Sequence, residues 1–130
     1  MTPRIATVLS ARDWESDLVR LARDGALVRL VLRAYRPEDL EKDAERVDVV
    51  VAGAETSWVT PARVAAWRRA GLRVIGIYAA GDHPARDRLE AGGADEIFPD
   101  DTPLPVILQA IRFLRPAAPS EIEAPSGSSV

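Results

Sequence analysis

Apolar residues along the chain gather in five short runs, separated by segments in which they recur at helical spacing. The central run, Asp48-Val49-Val50-Val51-Ala52-Gly53-Ala54, shows no polar alternation, as expected of a strand covered on both faces. Residues 4–10 predict another buried strand. Residues 27–33 alternate in part, which predicts an edge strand whose arginines, Arg29 and Arg33, face water. Residues 73–78 predict a fourth strand, and residues 95–98 a short fifth that Pro99 stops.

The intervening segments carry helix signals. Trp14, Leu18, Leu21 and Ala22 predict a helix over about 14–24, capped by Ser10 or Asp13 and ended by Gly25. Pro37 opens a second helix through about residue 46. Its only apolar anchors are Leu40 and Ala44, so it is expected to be the least firmly held. Thr60-Pro61 is a cap followed by a first-turn proline, and the helix it starts carries Val64, Ala65 and Trp67 and closes at Ala70-Gly71. Asp82-His83-Pro84 opens a fourth helix ending at Gly92-Gly93. Thr102-Pro103 starts a fifth, in which Leu104, Ile107, Leu108, Ile111 and Leu114 form a continuous stripe.

Five strands alternating with five helices predict an α/β three-layer sandwich. Right-handed crossovers favour a five-stranded parallel sheet in the flavodoxin-like order 2-1-3-4-5. The length of 130 residues fits one domain, placed here at residues 1–115. From Pro116 the composition turns to Pro, Ala, Ser, Glu and Gly, with Ile122 and Val130 the only larger apolar residues. Such a stretch buries too little to offset its ordering entropy, so residues 116–130 are expected to be a flexible linker or disordered tail, and the chain one piece of a longer protein.

Seventeen Lys and Arg against 20 Asp and Glu give a net charge of −3, with the signs interleaved. That balance argues against a general binder of nucleic acid or anionic membrane. The absence of cysteine excludes disulfides, a thiolate nucleophile and cysteine-held metal, and a single histidine argues against a histidine metal site. No segment approaches the roughly 20 apolar residues of a membrane span and no signal region is present, so a cytoplasmic protein is expected. No convergent acid, base, nucleophile or metal set can be assembled. The expectation is a protein that is not an enzyme and has no cofactor.

In an open α/β sheet chemistry gathers beyond the carboxyl ends of the strands. Here that places Gly53, Ala54, Glu55 and Thr56 at the central position. The stretch Ala91-Gly92-Gly93-Ala94-Asp95-Glu96-Ile97-Phe98-Pro99, followed by a capped amphipathic helix, resembles the Gly-Ala-x-x-[apolar]-x-Lys-Pro segment that closes the receiver domains of bacterial response regulators, the CheY-like family. The resemblance extends over residues 4–115. It implies a phospho-accepting aspartate at the end of the third strand, an acidic pair after the first for Mg²⁺, a hydroxyl after the fourth and a lysine before the fifth-strand proline, because a metal, a hydroxyl and an ammonium must together neutralise and orient phosphoryl oxygens.

Carried onto this chain, the acceptor falls on Gly53, or on Ala52 if the register slips, and the acidic pair on Ser10 and Ala11. The hydroxyl position falls on Ala79 and the lysine on Phe98. The resemblance therefore implies a degenerate, phosphorylation-incompetent pseudo-receiver. Among such domains the pattern resembles the N-terminal domains of the CpaE/TadZ group, in which a pseudo-receiver precedes a MinD/ParA-like ATPase that positions pilus-assembly or septum-related machinery. The implied role is protein interaction, dimerisation or localisation, with a protein partner, a downstream ATPase domain or a second copy. The alternative is a small-ligand or nucleotide-binding flavodoxin-like module. No Walker A motif is present, so ATP hydrolysis is not assigned to these residues.

Other positions keep two readings. His83 is a loop residue or a switchable group. Gly76 allows a close backbone approach or lies beneath a large helix residue such as a tryptophan. Trp14 and Trp67 lie on apolar helix faces, while Trp58 covers the strand ends or meets a partner. Arg68, Arg69, Arg86 and Arg88 are solvated or dock an acidic partner. By resemblance, Arg86, Leu89, Phe98, Ile107 and Ile111 border the receiver dimer face, with Ile107 and Ile111 alternatively internal.

Overall fold

Backbone hydrogen bonding places every strand beside a parallel neighbour. The computed structural model describes residues 2–8, 10, 12–24 and 27–114. In chain order the elements are β1 (Arg4–Val8), α1 (Asp13–Asp24), β2 (Arg29–Ala34), α2 (Pro37–Asp43), a 3-10 turn (Ala44–Arg46), β3 (Val49–Gly53), α3 (Pro61–Arg69), β4 (Arg73–Tyr78), α4 (His83–Gly92), β5 (Glu96–Pro99) and α5 (Leu104–Phe113). The sheet runs β2-β1-β3-β4-β5, all parallel, which is the predicted order.

The unbroken apolar run of β3 follows from its place in the sheet. Val50 and Ala52 pack into one core with Leu40, Val64, Trp67 and Leu89, beneath α2, α3 and α4. Val49 and Val51 pack into the other, with Trp14, Leu18, Ile107 and Ile111 beneath α1 and α5. All of β3 is buried, so no position along it is free to be polar.

Several local expectations are corrected. β2 begins at Arg29 rather than Leu27, and the second helix stops at Asp43, passing into the 3-10 turn. The large residue above Gly76 is Leu89, not a tryptophan: a Cβ at Gly76 would lie 2.7 Å from a Leu89 methyl. Gly92 has a similar role between α3 and α4, where an added Cβ would meet the Pro61 carbonyl at 2.9 Å. Arg33 does not simply face water; it turns toward a buried carboxylate on α1. Gly25 and the segment 116–130 lie outside the described residues.

At the amino ends of the strands two buried carboxylates hold neighbouring elements together. Asp95 accepts from the Val74 amide at 2.8 Å and from Arg68 and Arg73 at 2.9 and 3.2 Å. Asp48 accepts from the Arg4 amide at 2.9 Å and from its guanidinium at 2.9 and 3.2 Å. Burial pushes the Asp48 carboxyl up, but the Arg4 hydrogen bonds and charge together outweigh it and hold the group below the ordinary range. A carboxyl depressed in the folded state stabilises above its unfolded pKa and loses that contribution as pH falls through the folded one. Urea unfolding across pH should therefore show Asp48→Asn less stable than the parent at neutral pH, with the gap closing below about pH 4. A gap independent of pH would contradict this linkage.

Candidate functional site

The carboxyl ends of the strands form the face on which a flavodoxin-like sheet carries chemistry. β1 and β3 leave the sheet there through short loops. Ser10 follows β1 and Glu55 lies two residues beyond the last residue of β3. The Ser10 hydroxyl donates to the Glu55 carboxylate and accepts from the Arg12 amide at 3.0 Å. The Glu55 carboxylate lies over Gly53, so that a Cβ there would come within 2.9 Å of the Glu55 carboxyl carbon. Space that an acceptor side chain on Gly53 would enter is thus filled by the side chain of Glu55.

A second bridge crosses from β1 to β5. The Arg12 guanidinium pairs with the Asp100 carboxylate, and Asp100 also accepts from the Ala80 amide at 3.1 Å. Its own amide donates to the Tyr78 carbonyl at 2.7 Å. Arg12, Asp13, Trp14, Asp100 and Asp101 line a shallow open cleft of about 360 Å³ at this edge. Arg12 is thus matched to Asp100, while Asp13 and Asp101 leave the cleft with an excess of negative charge.

Of the positions implied by the receiver resemblance, Gly53 closes β3, Ser10 lies beside it through Glu55, and Ala79 is half-buried after β4. Phe98 packs against the α1–α5 core. Ala11 lies outside the described residues. The fold family implies Mg²⁺ at this face, and the donor set does not fit it: Ser10 and Gly53 offer no carboxylate, Glu55 is engaged by Ser10 and Asp100 by Arg12, and Asp13 and Asp101, which share the cleft with Asp100, are not grouped with it to hold a metal ion. Among the described residues no three His, Cys, Asp or Glu side chains are grouped to hold a metal ion.

The residues expected to border a dimer face divide by burial. Arg86 is exposed and pairs with Glu90 at 3.6 Å. Leu89, Ile107 and Ile111 are buried in the two cores and present almost no surface to a partner. The outward apolar residues of α5 are instead Val106 and Phe113. The sequence signal for them was available, because the inward stripe of α5 leaves both on the other side. Trp58 is half-buried and meets Trp67 edge-on, with ring centroids 6.2 Å apart and planes at 89°. It belongs to the α2–α4 layer. His83 is exposed at the first turn of α4, where Asp82 caps the Ala85 amide at 3.1 Å.

Glu15 is the polar residue that sequence reasoning missed. Its side chain is fully buried, and it accepts from the Thr7 hydroxyl at 2.7 Å and from Arg33 through two bonds of 2.9 and 2.6 Å. The triad ties α1 to β1 and β2. One signal could have revealed it: Glu15 stands three and four residues before Leu18 and Val19 and so shares their inward face.

With this geometry in place, comparison with solved structures defines the class of fold as that of receiver domains. The signal receiver domain of an HD domain-containing protein from Pseudomonas fluorescens Pf-5 is similar with a TM-score of 0.71 and 19% identity, over 87% of this chain and 86% of that one. The receiver domain of the response regulator NarL from Mycobacterium tuberculosis gives 0.70 and 21%, over 85% and 93%. The receiver domain of a Saccharomyces cerevisiae response regulator, co-crystallised with a histidine phosphotransfer protein, gives 0.66 and 9%, over 85% and 86%. No protein-family model and no curated protein sequence matches the chain.

Removing Arg33 leaves the Glu15 charge buried with only the Thr7 hydroxyl beside it. Arg33→Met is expected to lower the unfolding free energy by about 3 kcal/mol, and adding Glu15→Leu to recover much of that loss. An unchanged urea midpoint for Arg33→Met would contradict the assigned pairing.

Proposed function

We infer that this chain is a phosphorylation-incompetent receiver-like module, working through protein interaction rather than through chemistry of its own. The observation that carries the reading is the Glu55 carboxylate lying over Gly53 and held by Ser10. Phosphoryl transfer to a receiver needs an acceptor carboxylate and a cation at this place. Here the Glu55 carboxylate is already hydrogen-bonded to Ser10, and the Arg12 guanidinium is paired with Asp100.

The interaction reading draws support from the surface. Val106 and Phe113 of α5 are 44% and 75% exposed, and exposed apolar side chains on a helix flank suit contact with a partner or a second copy. One similar receiver structure is itself a complex with a signalling protein. The narrower reading is an N-terminal module of a MinD/ParA-like ATPase of the CpaE/TadZ kind, acting in localisation or dimerisation. It is supported by the pattern of replaced site residues at Ser10, Gly53, Ala79 and Phe98, and by the Pro, Ala and Ser-rich sequence that follows α5.

Incubation of the folded chain with Mg²⁺ and acetyl phosphate, followed by intact-mass measurement, is expected to show no added phosphoryl group. An acid-labile adduct of that mass, absent from the unfolded chain, would overturn the phosphorylation-incompetent reading.

A further inference from the structure

Charges that alternate in sign along the sequence are sorted by the fold onto opposite ends of the α1–α5 layer. In a parallel sheet each connecting helix runs back against the strands, so α1 and α5 start at the carboxyl ends of the strands and finish at the amino ends. At the carboxyl end, Asp13 opens α1 and Asp101 follows β5. Both are exposed, and neither makes an ion pair among the described residues. They share a cleft with the Arg12–Asp100 pair. At the amino end, Arg23 and Arg112 stand in the last turns of α1 and α5, and Arg29 opens β2. These three are also exposed and make no ion pair among the described residues.

Arg29 and Arg112 are brought together at Pro3. The Arg29 amide donates to the Pro3 carbonyl at 2.8 Å, and Pro3 and Arg112 line the same open groove. The exposed acid Glu96 also stands at the amino ends, but it opens β5 at the far edge of the sheet from β2. Complementing the helix dipoles accounts for Asp13, Arg23 and Arg112. It does not account for Arg29 or Asp101, which flank strands, whose net dipole is small. The sorting therefore belongs to the two ends of the layer rather than to each helix. Within one chain the two ends do not match each other: the 12 residues of α1 hold them about 18 Å apart, beyond the roughly 8 Å screening length at physiological ionic strength.

We propose that a second copy of this chain docks end to end on the α1–α5 layer, the Arg23, Arg29 and Arg112 corner of one copy meeting the Asp13 and Asp101 cleft of the next. A contact between unlike surfaces is heterologous and repeats into an open row unless a rotation closes it into a ring. This names the partner within the interaction reading, on which it rests. It is read out by association, so its failure leaves the acetyl phosphate result standing.

Sedimentation velocity of the full chain, over concentrations up to millimolar, is expected to show association at about 0.01 M salt and monomer at about 1 M, as the screening length falls from about 30 to about 3 Å. Arg29→Glu with Arg112→Glu, and separately Asp13→Lys with Asp101→Lys, should each abolish association at low salt. Mixing the two variants should restore it. Because the chain has no cysteine, Thr102→Cys and Leu27→Cys can mark the acidic and basic ends. Oxidising an equal mixture of these chains, one of them isotope-enriched, should give disulfides between unlike ends several-fold in excess over those between like ends. A parent that stays monomeric at low salt, association that survives either charge reversal, or like-end disulfides in equal or greater yield would overturn the proposal.

Discussion

Val49, Val50, Val51 and Ala52 are removed from water on both faces of the sheet, and the rest of the structure is arranged around that double burial. A fully buried valine side chain contributes roughly 1.5–3 kcal/mol. The larger constraint is on the backbone, whose buried amides and carbonyls must all find partners. β1 on one side and β4 on the other supply them. Two helical layers then become necessary, α2, α3 and α4 on one face and α1 and α5 on the other, because each face of β3 is apolar.

Where the strands begin and end, several charged groups are paired with one another. Asp48 and Asp95 hold the amino ends through Arg4, Arg68 and Arg73. Glu15, Thr7 and Arg33 do the same between α1, β1 and β2. At the carboxyl ends, Ser10 engages Glu55 and Arg12 engages Asp100. The loops that in a phosphate-handling site would converge on a ligand converge here on each other. That closure is the observation on which the proposed interaction reading rests.

Much of the architecture was legible in the sequence because the strong signals are local. The β3 run, the first-turn prolines at 37, 61 and 84, and the α5 stripe each specify their element within a few residues. The sheet order followed from those elements and the handedness of crossovers. What could not be read locally depends on partners distant in the chain. Arg33 looked like an outward edge residue because its alternation gave no hint of Glu15, 18 residues earlier. Gly76 announced a close approach, yet only the packing of α4 makes Leu89 the residue above it. At the candidate site, the residue types at the positions implied by the receiver resemblance, Ser10, Gly53, Ala79 and Phe98, were visible. That Glu55 would fill the place above Gly53 was not, since a glutamate just past a strand end ordinarily belongs to solvent.

The most direct test of the self-matched strand ends is an amide NMR titration with Mg²⁺ and then beryllofluoride, a phosphoryl mimic, at millimolar concentration. The account predicts no saturable shift at Gly53, Ala54, Ala79 or Ala80. Saturable shifts confined to those amides, and lost on Glu55→Gln, would contradict it.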